Sequence, residues 1–182
     1  MGNGPSVLQQ QLGTQIDRFE IVVRFNRFVT RGFRDHVGSR TDYWFTVSNR
    51  SKRGKRRIGF QRTYWWKTKG FRRFQSSYPE AILIDPEILD EIAEVAAVPL
   101  DKYRRWSTGA IAAAVLLREF PVIHIVGFDW WDDIGKSRHH YADEHEQGVT
   151  HKPGYEQTFF RSLVKAGKVI DLNIKSRLGG SV

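Results

Sequence analysis

The side chains best suited to moving a proton lie in the carboxyl-terminal third of the chain. His139-His140-Tyr141 comes first. His151 follows, with Glu156 five residues further on, in the string HKPGYE. Imidazole accepts and releases protons near neutral pH. Transfer of a group onto a hydroxyl needs a base for the hydroxyl proton and an acid or cation to support the leaving group. Two histidines could divide those tasks, with the Tyr141 phenol beside them. Glu156 could orient these groups, or it could be an ordinary first-turn acid favoured by a helix dipole. His124 alternates within an apolar run and reads as a core histidine, whereas His36 and His145 read as solvated.

A second set of residues is small and polar, suited to holding an anion. GNGPS (2–6) places glycines and a proline around Asn3, so that backbone N–H groups can approach a phosphate closely. Ser6 closes that turn. Asn26 ends RFN (24–26) at a strand terminus, where it could meet a phosphate or ribose or simply serve a turn. Ser107-Thr108-Gly109 opens an apolar helical run. It could be a plain N-cap or an anion site at a helix N-terminus. Gly127 ends the strand VIHIVGF (122–128). VGSRTD (37–42) reads as structural, with Arg40 pairing an acid.

Other features narrow the chemistry. With no cysteine, there is no disulfide, thiolate metal site or cysteine nucleophile. Asp129, Asp132 and Asp133 cluster but lack Asp-x-Asp spacing, and carboxylates without defined geometry point only weakly to a metal. Trp130 and Trp131 could stack on a sugar or pack at a rim. The net charge is +9, yet residues 50–73 hold eleven Lys or Arg and no acid, leaving about −2 (+9 minus +11) for the rest. Tyr64, Trp65, Trp66, Phe71 and Phe74 interleave with that charge. This composition suits single-stranded nucleic acid, an anionic membrane surface or lipid-linked glycan, or a solvated flap.

The elements that must position these residues follow from periodicity. Residues 19–25 (FEIVVRF), 42–47, 81–84, 122–128 and 169–172 read as strands. A short helix is expected from Ser6 toward Gln15. Further helices are expected from Asp85-Pro86 to Ala97, over 108–120, and over 155–166 with Gly167 as the stop. Residues 50–78 lack a period and read as a loop or hairpin excursion outside the sheet. At 182 residues with 40% apolar content, this is one domain, 1–182. No stretch approaches the roughly 20 apolar residues of a membrane-spanning helix, and Met1 leads straight into a turn rather than a signal peptide. The alternation predicts an α/β fold, a Rossmann-like, parallel-rich sheet with helices on both faces. Ligands in such sheets bind at the carboxyl ends of the strands.

Taken in order, GNGPS, RFN, VGSRTD, STG, HHY and HKPGYE resemble the sialylmotifs of the sialyltransferases of glycosyltransferase family 29, with a weaker echo of bacterial family 42. The resemblance covers most of the chain apart from the basic middle. It implies a sialyltransferase variant of the GT-A-like fold and an inverting, metal-independent transfer of sialic acid from CMP-sialic acid to a glycan or glycolipid hydroxyl, with no cofactor. It implies His151 as base, His140 and Tyr141 at the donor phosphate, and Asn3, Ser6, Asn26, Ser107, Thr108 and Gly109 around the donor. Glu156 and Gly127 have supporting roles. In that family a hydrophobic strand precedes the GN turn. Here Met1 stands in its place: either the sequence starts short of that strand or the sheet has lost it, and because a lost central strand would leave two neighbours unpaired, a misassigned start or a fragment is the expectation. Animal members are Golgi-lumenal, anchored and disulfide-bonded. A chain without cysteine or anchor is expected in the cytoplasm, at most peripheral to a membrane's inner face. Two alternatives stand beside this reading: a module binding nucleic acid through residues 50–73, against which the ordered motifs argue, and a degenerate, non-catalytic relative.

Overall fold

The computed structural model describes residues 1–47, 60–67, 69–98, 106–129, 140 and 153–173. Four strands form one parallel sheet in the order β1 (Val23–Phe25), β2 (Tyr43–Thr46), β3 (Arg62–Trp65) and β4 (Ile82–Leu83). A second parallel pair is made by β5 (Ile123–Ile125) and β6 (Val169–Asp171). Met1 and Gly2 lie between the two groups. The Met1 amine donates to the Val23 carbonyl and the Gly2 N–H to the Val126 carbonyl, each at 2.8 Å.

Both faces of the sheet are covered, because successive residues of the strands point to opposite sides. Tyr43, Phe45, Tyr64 and Phe25 pack against α4 (Ile88–Val95), α5 (Thr108–Leu117) and α6 (Pro153–Lys165). On the opposite side, Val22 and Val126 meet Val7 of the 3-10 helix Pro5–Gln9, Ile16 of α1 (Gly13–Arg18) and Val37 of α2 (Arg34–Val37). Trp44 and Trp65 meet Phe74 of α3 (Phe71–Gln75) on that side. α5 is buried through most of its length and rich in alanine, so it can lie close to both the sheet and its neighbouring helices. Gly167 takes φ 68° just past α6, and the Lys168 N–H returns to the Leu163 carbonyl at 2.9 Å, so the glycine stop is the expected one.

Several expectations need correction. The run 19–25 is a strand only from Val23, because Phe19 closes α1 with its N–H on the Ile16 carbonyl. Ser6 caps no α-helix: residues 5–9 form the 3-10 helix, and α1 starts at Gly13. The largest difference concerns residues 50–78. Within that span β3 sits inside the sheet between β2 and β4, and α3 covers one face. Of the aromatics that suggested a nucleic-acid surface, Tyr64, Trp65 and Phe74 are core, and Trp66 and Phe71 pack half-buried against it. Tyr64 stacks on Phe45 with ring centroids 4.2 Å apart, and Trp65 stacks on Phe74 at 4.4 Å. Arg62, at the exposed start of β3, pairs with Glu119 at 2.7 Å. The remainder of the basic run, residues 50–59, lies outside the described residues. No helix among the described residues is long and apolar enough to cross a membrane.

Candidate active site

Two loops meet where β1 and β5 end, and neither has room for larger residues. A Cβ on Gly2 would stand 2.1 Å from the Gly127 carbonyl oxygen, and one on Gly4 would stand 2.5 Å from the Asp129 carboxylate. The glycines of the first turn are therefore required by contact with the loop 127–129, which sits after β5 as expected. Gly127 itself takes φ 73°, favourable to glycine. Ser6 locks the pair. Its N–H donates to Asp129 Oδ2 at 2.8 Å, its hydroxyl donates to the other carboxylate oxygen, and Asn173 is a further partner at 3.2 Å.

Asn3 joins this assembly to the end of β1, donating its side-chain amide to the Arg27 carbonyl at 3.1 Å. Asn26, just past β1, has φ 45°, a left-handed conformation that asparagine tolerates better than most residues. Its amide donates to Thr108 Oγ1 at 3.0 Å, and its oxygen accepts the Val47 N–H at 3.2 Å. Asn26 thus ties the end of β1 to the start of α5 and to the end of β2. Ser107 is the N-cap of α5, its hydroxyl accepting the Ala110 N–H at 3.2 Å. The Ser107 N–H donates to Glu156 Oε1 at 2.6 Å, and Glu156 is only 4% exposed. Glu156 is a first-turn acid of α6, as the plainer reading had it, and it also fixes the STG turn. Gly109 lies against Phe128, whose ring a Cβ would meet at 2.6 Å.

His140 is 6% exposed and packs edge-on against Phe33 at 5.1 Å. Its backbone N–H donates to the Asn3 carbonyl at 2.8 Å. Nδ1 lies 3.2 Å from that same oxygen, and Nε2 lies 2.9 Å from the Val29 carbonyl. Neutral imidazole has one N–H, so it can donate to only one of these carbonyls at a time. His140 thus bridges the first turn and the loop after β1.

The string VGSRTD is structural. Arg40 pairs with Asp42 at 2.9 Å and donates to the carbonyls of Asp17, Phe19 and Glu20. Asp17 accepts the N–H groups of Ser39 and Arg40 and the Ser39 hydroxyl. Burial works against its ionisation, but these donors and the Arg24 charge outweigh it and hold its carboxyl below the usual range. Arg24 is 2% exposed, on the α2 side of β1, and donates to the carbonyls of Val37 and Arg40 and to Thr41 Oγ1. Burial pushes its guanidinium down to about 10, against the pull of Asp17.

The described chain therefore brings together Asn3, Ser6, Asn26, Ser107, Thr108, Gly109, Gly127, His140 and Glu156. Tyr141, His151, Trp130, Trp131, Asp132, Asp133 and His145 lie outside the described residues. Two other histidine readings change. His124 is exposed, its ring 4.8 Å from that of Phe19, rather than in the core. His36 is half-buried with Nδ1 2.6 Å from the Gln10 carbonyl, rather than solvated. Sequence reasoning missed Asp129 as the partner of Ser6, Asp17 as the anchor of the loop 39–40, and Trp66, whose indole N–H reaches Thr108 Oγ1 at 3.3 Å. The signal for Asp129 was its place directly after Gly127-Phe128. Asp17 and Trp66 carry no local mark.

Comparisons with known proteins bear on the family and the fold. The profile of glycosyltransferase family 29 (sialyltransferase) matches residues 1–61 and 48–168. The CMP-N-acetylneuraminate-beta-1,4-galactoside alpha-2,3-sialyltransferases of Homo sapiens, Pan troglodytes and Mus musculus are each 24% identical over 212 residues, covering 95% of this chain. The chain spans 56% of the length of those relatives. The crystal structure of a mammalian sialyltransferase superposes with a TM-score of 0.72 at 18% identity, over 96% of this chain and 67% of that one. A complex of a mammalian sialyltransferase with Gal-beta-1-3GalNAc-ortho-nitrophenol gives the same score and identity, over 68% of that chain. These likenesses show the fold.

Proposed function

We propose that this chain, which belongs to glycosyltransferase family 29, the sialyltransferases, moves sialic acid from CMP-sialic acid to a glycan hydroxyl by an inverting displacement that needs no metal. The observation that carries this reading is a convergence. Asn3, Asn26, Thr108, His140 and Glu156 come from distant parts of the sequence yet are joined around the ends of β1 and β5 and the start of α5. This is where a parallel α/β sheet binds its ligands.

The division of labour follows from the chemistry. His151 takes the proton of the acceptor hydroxyl as its oxygen attacks the anomeric carbon of the donor. The bond from that carbon to the CMP phosphate breaks, and CMP leaves with the bonding electrons. His140 and Tyr141 support the phosphate. Glu156 and the Ser107 hydroxyl occupy the N–H groups of Ser107 and Ala110. The first-turn amides of Thr108 and Gly109, which these bonds do not use, are assigned to the CMP phosphate or the sialic carboxylate. Asn3, Ser6 and Asn26 hold the donor loops in register, with Gly127 allowing their close approach. Relatives named for galactosides make a terminal β-galactoside the first acceptor to assay.

The test is calorimetric titration of CMP in excess EDTA, followed by single-turnover transfer from CMP-sialic acid to a β-galactoside. CMP is expected to bind equally with and without chelator. Loss of binding under chelation overturns the metal-free mechanism, and absence of CMP binding in both conditions overturns the donor assignment. Binding without transfer identifies a non-catalytic relative.

A further inference from the structure

Three N–H groups fix the polarity of one hydroxyl, that of Thr108. The series of bonds starts just past β2. The Val47 N–H donates to Asn26 Oδ1 at 3.2 Å. A backbone N–H cannot accept, so the Asn26 oxygen must face Val47 and the amide nitrogen must face the other way. That nitrogen donates to Thr108 Oγ1 at 3.0 Å. The indole N–H of Trp66, the residue directly after β3, reaches the same oxygen at 3.3 Å, and indole is a donor only. A hydroxyl oxygen has two lone pairs and one hydrogen. Both lone pairs of Thr108 are taken by N–H groups that accept nothing in return. Its hydrogen can therefore only be donated, and only away from Asn26 and Trp66.

The surroundings hold this arrangement. Thr108 opens α5 and is 5% exposed. Trp66 is half-buried and packed against the main core cluster. The Trp65 indole N–H donates to the Lys67 carbonyl, which ties down the backbone on either side of Trp66. Lys67 Nζ lies 5.1 Å from the centroid of the Trp66 ring, so a positive charge sits beside the same indole. Packing at this position could be served by phenylalanine. The indole N–H is what tryptophan adds, and it is directed at Thr108.

We propose that Trp66 is a positioning residue for donor binding: through Thr108 it commits a hydroxyl to donating to an acceptor oxygen of the bound nucleotide, a role that rests on the assignment of this turn to CMP. The hydroxyl then acts in the same sense as the first-turn amides of Thr108 and Gly109. It also makes the turn selective. An oxygen without a hydrogen is welcomed there, whereas an amino group in its place meets a hydroxyl with no lone pair to offer.

The experiment is a double-substitution cycle read by CMP calorimetry, with denaturant unfolding of each variant alongside. Trp66→Phe keeps a ring and removes the N–H, and is expected to weaken CMP binding about 3–10-fold. Thr108→Val is expected to weaken it about 10–100-fold, and Thr108→Ser, which keeps the hydroxyl, by less than about 3-fold. In the Thr108→Val background, Trp66→Phe is expected to change CMP affinity by less than about 2-fold and to raise stability, because it removes a donor left without its acceptor. Should Thr108→Val fail to fold, the indole itself reports. Its Nε1–H proton resonance, assigned by its loss in Trp66→Phe, is expected to move downfield as CMP is added, because a hydroxyl that donates becomes a stronger acceptor. A resonance unmoved by bound CMP, or an equal loss of affinity from Trp66→Phe in both backgrounds, overturns the proposal and leaves Trp66 a packing role. CMP binding indifferent to Trp66→Phe overturns it alone, whereas no CMP binding by the unaltered chain overturns the donor assignment with it.

Discussion

At His140 both ring nitrogens lie against carbonyl oxygens, those of Asn3 and Val29, inside a buried contact. Replacing it by alanine therefore has two expected effects. Folding stability falls by about 1–3 kcal/mol as buried carbonyls lose a donor, which chemical denaturation reads, and CMP affinity falls because the loop carrying Asn3 is loosened. His151→Ala is expected to lower single-turnover transfer by roughly 10²–10⁴ while leaving CMP affinity nearly intact, since a base acts on the acceptor. Normal transfer in His151→Ala would remove the mechanism while leaving the fold untouched. For Glu156, replacement by glutamine keeps an acceptor for the Ser107 N–H, whereas alanine orphans a helix-terminal donor. Glu156→Ala is expected to cost about 1–3 kcal/mol and Glu156→Gln clearly less. Among the described residues, Asn3, Asn26, Thr108, His140 and Glu156, all named from sequence, are joined by hydrogen bonds around the ends of β1 and β5 and the start of α5. Their use was less legible, because Asn3, Ser6 and Asn26 spend side-chain bonds on partners 24, 123 and 82 residues away. Spacing along a chain carries no trace of such partners.

Among the elements, β2, β4, α5, α6 and β6 were legible within a few residues, because each joins a clear apolar period to a recognisable cap or stop. β3 was not. Its four residues, Arg-Thr-Tyr-Trp, sit in a strongly basic run, and the composition of the run masked the alternation by which Tyr64 and Trp65 enter opposite faces of the core. Trp65→Ala and Tyr64→Ala should each cost about 3–5 kcal/mol in denaturant unfolding, the range for large aromatic side chains removed from a core. A flap outside the sheet would lose almost nothing. Asp17 gives an element-level test of a different kind. Its carboxyl holds the loop that follows α2, and its folded-state pKa is depressed, so its contribution is present above the unfolded value near 3.8 and is lost as pH falls through the folded one. Asp17→Asn is expected to flatten that acid limb of the stability curve.

For the whole molecule, the buried amine of Met1 couples stability to pH in a separate window. Its pKa falls from 8.0 in the unfolded chain to about 4 in the folded one. Between those values the unfolded state binds more protons, so stability is full above about pH 8 and declines as pH drops toward 4. Acetylating the amine is expected to abolish that slope, which denaturation midpoints across pH 4–8 would show. A decline unchanged by acetylation would assign it to other groups. The α/β class and parallel sheet could be read from the order of elements, and the family from its strings. The division of the sheet at Met1 is a fact of three dimensions.

The bonds from Ser6 to Asp129 and Asn173 span 123 and 167 residues. A ribosome delivers the first turn well before either partner. The GN turn therefore waits undocked while the 123 residues to Asp129 are made, beside a β1 edge that nothing yet covers. Non-local pairing of this kind slows folding and lengthens exposure of sticky edges. The yield of folded protein is therefore expected to respond to what shields the nascent chain during that interval, which slower translation lengthens.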